Sequence, residues 1–225
     1  MNILLAVECE ATAYDSTFTF ISYQQKSLLL QFSPDFHLRS LSLGEIFQEN
    51  GIQGVKDFFE KNFQLAIDGS VVVREKDLMQ ILNIYFPKGI PGLTASQLIA
   101  DPKEISELLA YQRNMEGPES TFVYQRHFLR ILKNQIIRKR NLLKMNVITR
   151  QLIQYMTTDI SQQQFLKLLL SLVRQSASLE KYVFPLENTY RILPAGQKQR
   201  LKMVDVGQNE RLLRNFLQGA LLKES

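Results

Sequence analysis

The side chains best suited to act on a ligand form one basic run. Arg126, Arg130, Lys133, Arg138, Lys139, Arg140, Lys144 and Arg150 lie between Ser120 and Thr158, with no Asp or Glu among them. Such a run attracts phosphate, on a lipid headgroup, a pyrophosphate-linked substrate or nucleic acid. The rest of the chain carries 19 basic and 22 acidic side chains, so the net charge of +5 belongs to this segment. The plain alternative is a solvated helix face that keeps the protein soluble. Signals for nucleophilic or metal chemistry are sparse. The single cysteine, Cys9, excludes an internal disulfide and reads as a strand-end residue. His37 and His127 are too scattered for a histidine metal cluster, and His127 reads as a packing or helix-surface residue. There is no phosphate-binding glycine loop, Gly51-x-x-Gly54 being too short a match, and no Gly-x-Ser-x-Gly elbow.

These residues need a scaffold. The chain has 225 residues, 45% of them hydrophobic, which is enough for a sizeable core; no linker or repeat is evident, so one domain over 1–225 is expected. Ile3 to Val7 reads as a buried strand. Thr17 to Tyr23 and Ser27 to Phe32 read as a hairpin around the polar turn Gln24-Gln25-Lys26, ended by Ser33-Pro34-Asp35. Apolar residues at helical spacing predict a helix over Gly51 to Phe63, followed by a strand in 66–73 and a short helix over Glu75 to Leu82. Asp101-Pro102 should open a helix running to about Arg113, and Ser120 should cap a long helix reaching about Arg140. On that helix Arg126, Arg130 and Lys133 share a face, at i, i+4 and i+7. Helices over Asn146 to Met156, Ile160 to Arg174 and Glu210 to Leu222 complete the pattern. An edge strand is expected at Tyr182 to Pro185 and a turn at Gly207-Gln208-Asn209. Strands alternating with helices predict an α/β layered sandwich. No apolar run approaches the roughly 18–20 residues of a membrane span, and MNILLAVECE lacks the basic start of a signal peptide.

The order of these segments resembles the LytR-CpsA-Psr (LCP) family of cell-envelope proteins. The resemblance runs from the opening Asn2-Ile3-Leu4-Leu5 strand through Asp15-Ser16-Thr17 before the second strand. It continues with Leu109-Ala110-Tyr111-Gln112-Arg113 and Tyr124-Gln125-Arg126-His127-Phe128-Leu129, and ends with Thr158-Asp159-Ile160-Ser161 and Val183-Phe184-Pro185. It implies a three-layer α/β/α sandwich with a central mixed sheet, placed outside the cytoplasm at the cell envelope. A polyprenyl-(pyro)phosphate lipid, or a lipid-linked glycopolymer, would keep its tail in an apolar tunnel between sheet and helices. Active members transfer the glycopolymer to peptidoglycan with Mg²⁺ held by aspartates. The resemblance implies catalytic roles for Asp15, Asp35 and Arg113, phosphate binding by Arg113, Gln125 and Arg126, and metal binding by Asp15 and Asp35. It leaves the basic residues from Arg130 onwards on a solvated or membrane-facing surface near anionic head groups.

The match departs from the family at its charged positions. A Pro-Arg-Asp stretch is here Ser33-Pro34-Asp35, the second arginine of an Arg-x-Arg pair is Met115, and the arginine of Arg-Gln-Gln is Tyr124. Proline and methionine cannot stand in for guanidinium groups on a pyrophosphate. The expectation is therefore an LCP-like lipid binder whose transferase chemistry is weakened or lost. An active Mg²⁺-dependent phosphotransferase is the alternative. Nucleic-acid binding through the basic 120–158 segment ranks last, since backbone contacts need only distributed Lys and Arg.

Overall fold

The computed structural model describes residues 1–23, 27–94, 97–109, 118–136, 144–174, 180–194 and 200–221. Its centre is a six-stranded sheet of β1 (Asn2–Glu8), β2 (Thr17–Tyr23), β3 (Ser27–Phe32), β4 (Gly69–Arg74), β7 (Thr157–Thr158) and β8 (Glu180–Phe184), in the order β7-β4-β1-β2-β3-β8. β1 pairs parallel with β4, and β3 parallel with β8; the other pairs are antiparallel, so the sheet is mixed as expected. Two hairpins, β5 (Ile90–Pro91) with β6 (Leu98–Ile99) and β9 (Tyr190–Ile192) with β10 (Leu201–Met203), had no counterpart in the sequence reading. Each is two or three residues a strand, too short for period-two alternation to register.

Seven helices flank the sheet among the described residues: α1 (Leu43–Phe63), α2 (Glu75–Tyr85), α3 (Pro102–Leu109), α4 (Pro118–Ile136), α5 (Met145–Ile153), α6 (Gln162–Arg174) and α7 (Val206–Leu221). Strand alternation sends side chains to two different layers. Leu4 and Ala6 of β1, Phe18 and Phe20 of β2, and Leu30 and Phe32 of β3 pack against α1 and α7. Ile3 of β1 and Val71 and Val73 of β4 face α2 to α6 instead. The architecture is thus the layered α/β sandwich that the alternation of elements predicts, in the three-layer α/β/α form that the resemblance implies.

The α1 layer is filled with aromatic rings. Phe32 stacks on Phe184 at 5.3 Å and meets Phe59 edge-on at 5.1 Å, while Phe18 meets Phe47 at 5.4 Å. The offset and edge-on geometries are those ring quadrupoles favour. Across the sheet the lining is mainly aliphatic, and that layer does not close.

Helix boundaries correct the sequence reading in three places. Helix α1 starts eight residues before Gly51, where a capping box closes it: Ser42 Oγ accepts from the Glu45 N–H, and the Glu45 carboxylate accepts from the Ser42 N–H at 2.9 Å. Gly51 is a break inside this helix, at φ 60°, a conformation costly for any residue with a Cβ. Helix α4 opens at Pro118, whose missing N–H is harmless in a first turn, so Ser120 lies inside it. Gly207 to Asn209 form the first turn of α7, where Asp205 accepts from the Gln208 N–H at 2.7 Å. The reach of the sequence-predicted helices to Arg113 and Arg140 lies outside the described residues.

Phe59 is fully buried in the aromatic layer, so Phe59→Ala should cost about 3–5 kcal/mol of stability in urea unfolding. A cost below about 1 kcal/mol would mean that the aromatic layer is not close-packed.

Candidate functional site

On the aliphatic face the sheet and helices form a cavity of about 540 Å³ that opens to the surface beside Leu93 and Arg130. That lies within the roughly 300–1,000 Å³ range of small-molecule sites. Its floor is made by Ile3, Leu5 and Val7 of β1, Thr19 and Ile21 of β2, Leu29 of β3, and Val71 and Val73 of β4. Its walls include Ile81 of α2, Leu132 of α4, Leu152 of α5 and Leu168 of α6. Among the described residues the charged lining is all basic: Arg126, Arg130 and Lys133 from one face of α4, and Lys181 from β8. The cavity therefore joins an apolar interior to cationic groups, a pairing suited to an amphiphile with a negative head. Arg130 and Lys133 thus line the cavity together with Arg126, while Arg130 is also exposed, in keeping with the solvated surface expected of it. Helical periodicity had already put the three on one side; only the sheet decides that this side borders the cavity.

His127 fixes part of this wall. It is buried, with Nε2 2.7 Å from the Pro91 carbonyl and Nδ1 3.1 Å from an Arg130 guanidinium nitrogen. A carbonyl only accepts and a guanidinium only donates, so Nε2 carries the proton and Nδ1 accepts. The packing role read for His127 in the sequence therefore extends to orienting Arg130.

The other candidate residues gather where β1 and β3 end, the C-terminal edge at which α/β sheets commonly bind ligands. Asp15 closes the short 3-10 turn Ala13–Asp15 and is 6% exposed. Its Oδ1 lies 2.6 Å from Nη2 of Arg200, in a pair that is almost wholly buried. Asp35 is 1% exposed. Its Oδ1 accepts from the Tyr14 hydroxyl at 2.6 Å, and its Oδ2 from the backbone N–H of Leu201 at 3.0 Å and of Arg200 at 3.3 Å. Burial pushes the Asp35 carboxyl above its ordinary value, against the pull of these donors and the Arg200 charge. Residue 200 therefore ties the two aspartates together, by its side chain to one and its backbone to the other. Removing one partner of such a buried ion pair typically costs about 3–5 kcal/mol.

Gln125 is buried on α4 and donates through Nε2 to Thr17 Oγ1 at 3.1 Å, two residues beyond Asp15. Asp15, Asp35 and Gln125 are thus brought to one end of the sheet, and Arg126 stands in the adjacent cavity wall. Arg113 lies outside the described residues. Arg200 and Tyr14 went unread as site residues because nothing in their local sequence marks them; a contact between positions 15 and 200 carries no short-range signal. Glu75 is a further addition. It is buried at the start of α2, and burial pushes its carboxyl above the ordinary 4.5, with Glu10 and Asp15 adding repulsion and the Glu10 backbone and Cys9 side chain opposing. Cys9 is buried directly after β1, the strand-end position expected for it, and burial raises its thiol.

The donor set does not suit Mg²⁺. A magnesium ion needs carboxylate oxygens about 2.0–2.1 Å away, free of competing donors. Both oxygens of Asp35 already accept hydrogen bonds, and Asp15 holds a guanidinium. Among the described residues, no group of three or more His, Cys, Asp or Glu is arranged to hold a metal. No chemical step is therefore derived through a metal ion.

Next to the Thr17–Gln125 pair runs a strip of polar atoms with no hydrogen-bond partner among the described residues: both amide atoms of Gln31 and the hydroxyl of Ser33. Gln31 follows Leu29 by two positions on β3 and pairs with Thr19, so it shares their cavity-side face.

No protein-family model matches this sequence, and no curated protein does. Solved structures match it over nearly its full length. TagV of B. subtilis aligns with a TM-score of 0.71 and 14% identity over 98% of this chain and 96% of its own. Protein gbs0355 of Streptococcus agalactiae gives 0.70 and 13%, over 100% of this chain and 88% of its own. TagT, solved bound to LIIa-WTA, gives 0.65 and 13%, over 98% of this chain and 90% of its own. These agreements establish the fold of the LCP proteins, the family of TagV and TagT, as the segment order had suggested.

Two outcomes are expected here. Gln31→Leu should raise stability by about 1–3 kcal/mol in urea unfolding, because it removes unsatisfied buried polar atoms; a loss of stability would show that the amide has partners. For Glu75, a folded-state value above the unfolded one means the native state binds the extra proton. Its contribution is most favourable at low pH and is lost as pH rises from 4.5 through the raised value. Stability of Glu75→Gln relative to the parent protein should therefore climb over that window. A flat difference would remove Glu75 from the buried acids.

Proposed function

We propose that this protein binds a polyprenyl-(pyro)phosphate or a related lipid-linked glycopolymer, with transferase chemistry weakened or lost. The observation that carries the reading is the apolar cavity whose charged lining, among the described residues, is basic. A prenyl tail would lie against Ile3, Leu5, Ile81, Leu132 and Leu168. The phosphate would meet Arg126 and Arg130, whose guanidinium groups match phosphoryl oxygens in pairs. A neighbour of the same fold, TagT, was solved with LIIa-WTA, a lipid-linked wall teichoic acid precursor, which supports an amphiphile of this class. The same reading puts the protein outside the cytoplasm at the cell envelope, near a membrane surface, with peptidoglycan as the acceptor if transfer persists.

Loss of transfer is favoured by the state of the two aspartates. Asp35 is committed to Tyr14 and to the backbone of Arg200 and Leu201, and Asp15 to the Arg200 side chain. Neither is left as an open base or metal ligand. The departures at Pro34 and Met115 remove guanidinium groups that a pyrophosphate would need.

The reading is tested by extracting the purified protein for mass spectrometry and by calorimetric titration with farnesyl phosphate and farnesol. A copurified prenyl phosphate is expected. Leu132→Trp, which fills the cavity, should weaken both ligands at least about tenfold. Arg126→Ala should weaken farnesyl phosphate and leave farnesol unchanged. Absence of any prenyl lipid, together with unaltered titrations in Leu132→Trp, would sink the proposal. DNA binding that falls steeply with salt would favour the nucleic-acid alternative instead.

A further inference from the structure

We infer that Arg200 is a built-in cation occupying the position a divalent ion would take at the Asp15–Asp35 pair, so that this site works without metal. The inference rests on three contacts around one residue. The Arg200 guanidinium lies 2.6 Å from Asp15 Oδ1, with the side chains only 11% and 8% exposed. Its backbone N–H, with that of Leu201, donates to Asp35 Oδ2. The Tyr14 hydroxyl takes Asp35 Oδ1.

Each contact stands in the way of a metal ion. The backbone donors to Asp35 come from the start of β10, which pairs in register with β9, so withdrawing them would unseat that hairpin. A cation at Asp15 would have to expel the guanidinium from its carboxylate partner inside the protein. A buried ion left without its counter-charge is among the costlier arrangements a fold can hold. Arginine also stays protonated throughout the accessible pH range, so the positive charge at Asp15 is permanent, whereas a bound Mg²⁺ exchanges with solvent. An anion arriving at this end of the sheet meets a neutralised carboxylate whether or not divalent ions are present.

The test needs no lipid, so its outcome is independent of the ligand proposed above. Mn²⁺ binding is followed by the electron paramagnetic resonance of the free ion, and melting is recorded in chelator and in Mg²⁺. The parent protein should show no saturable Mn²⁺ binding and no shift in melting temperature with Mg²⁺. Arg200→Ala should melt lower in chelator and recover part of the loss in Mg²⁺. It should also bind Mn²⁺ at least about tenfold more tightly than the parent. Adding Asp15→Asn to it should abolish both effects. Saturable Mn²⁺ binding by the parent protein that disappears in Asp15→Asn overturns the inference, and that comparison decides the matter even if Arg200→Ala fails to fold. A folded Arg200→Ala that gains no metal response overturns it equally.

Discussion

The alternation of side chains along β2 is the constraint on which the rest depends. Thr17, Thr19 and Ile21 point to one face of the sheet and Phe18 and Phe20 to the other, and β2 stands between β1 and β3. A shift of one residue in either register would exchange the two layers. With the register as it is, large rings meet α1 and α7 and fill their layer. Shorter branched side chains meet α2 to α6 and leave a space between them. The closed face gives the sheet a rigid back, and the open face gives it somewhere to put a ligand. The asymmetry between layers, more than any one residue, makes this sandwich a container.

The sheet also sets where charge can go. Chain segments leaving β1 and β3 at the same end carry Asp15 and Asp35 into a region with little water. There, each carboxylate has been given a donor from a distant part of the chain. Tyr14 answers Asp35 from the turn before β2, and Arg200 answers both aspartates from the entry to β10. The basic residues of α4 follow a different rule. Their long stems line apolar surface while their heads serve the cavity, an arrangement open to arginine and lysine and closed to shorter cations. Two polar systems thus sit side by side: one around the buried aspartates, the other a basic stretch of α4 beside the cavity.

How far the sequence speaks for this structure depends on the range of the forces involved. The apolar run of β1, the alternation that opens β2 and the helical spacing of α4 and α6 are local, and they placed those elements correctly. The Asp101-Pro102 opening of α3 was equally readable, with Asp101 accepting from the Lys103 N–H at 2.8 Å. Ser42 and Glu45 form a capping signature that was present to be read, and Gly51 misled because a glycine at a helix break looks like a glycine at a helix start. The candidate site was legible in part. Asp15, Asp35 and Gln125 could be proposed from segment order, but their partners could not. Arg200 stands 185 positions from Asp15 and Thr17 stands 108 from Gln125, separations across which only the folded sheet makes neighbours. That Arg130 and Lys133 border the cavity depended likewise on what the helix packs against.

The one-sided cavity also makes the folded state voluminous. Unfolding lets water fill internal space, so the unfolded chain with its solvent occupies less volume than the native protein, and hydrostatic pressure favours it. Here a cavity of about 540 Å³ lies on one side of the sheet, under α4, while the other side is packed ring against ring. Pressure should therefore loosen the α2 to α6 layer first and leave β1 to β3 seated on α1. A tail occupying the space would remove most of that imbalance, making the loaded protein the less compressible of the two.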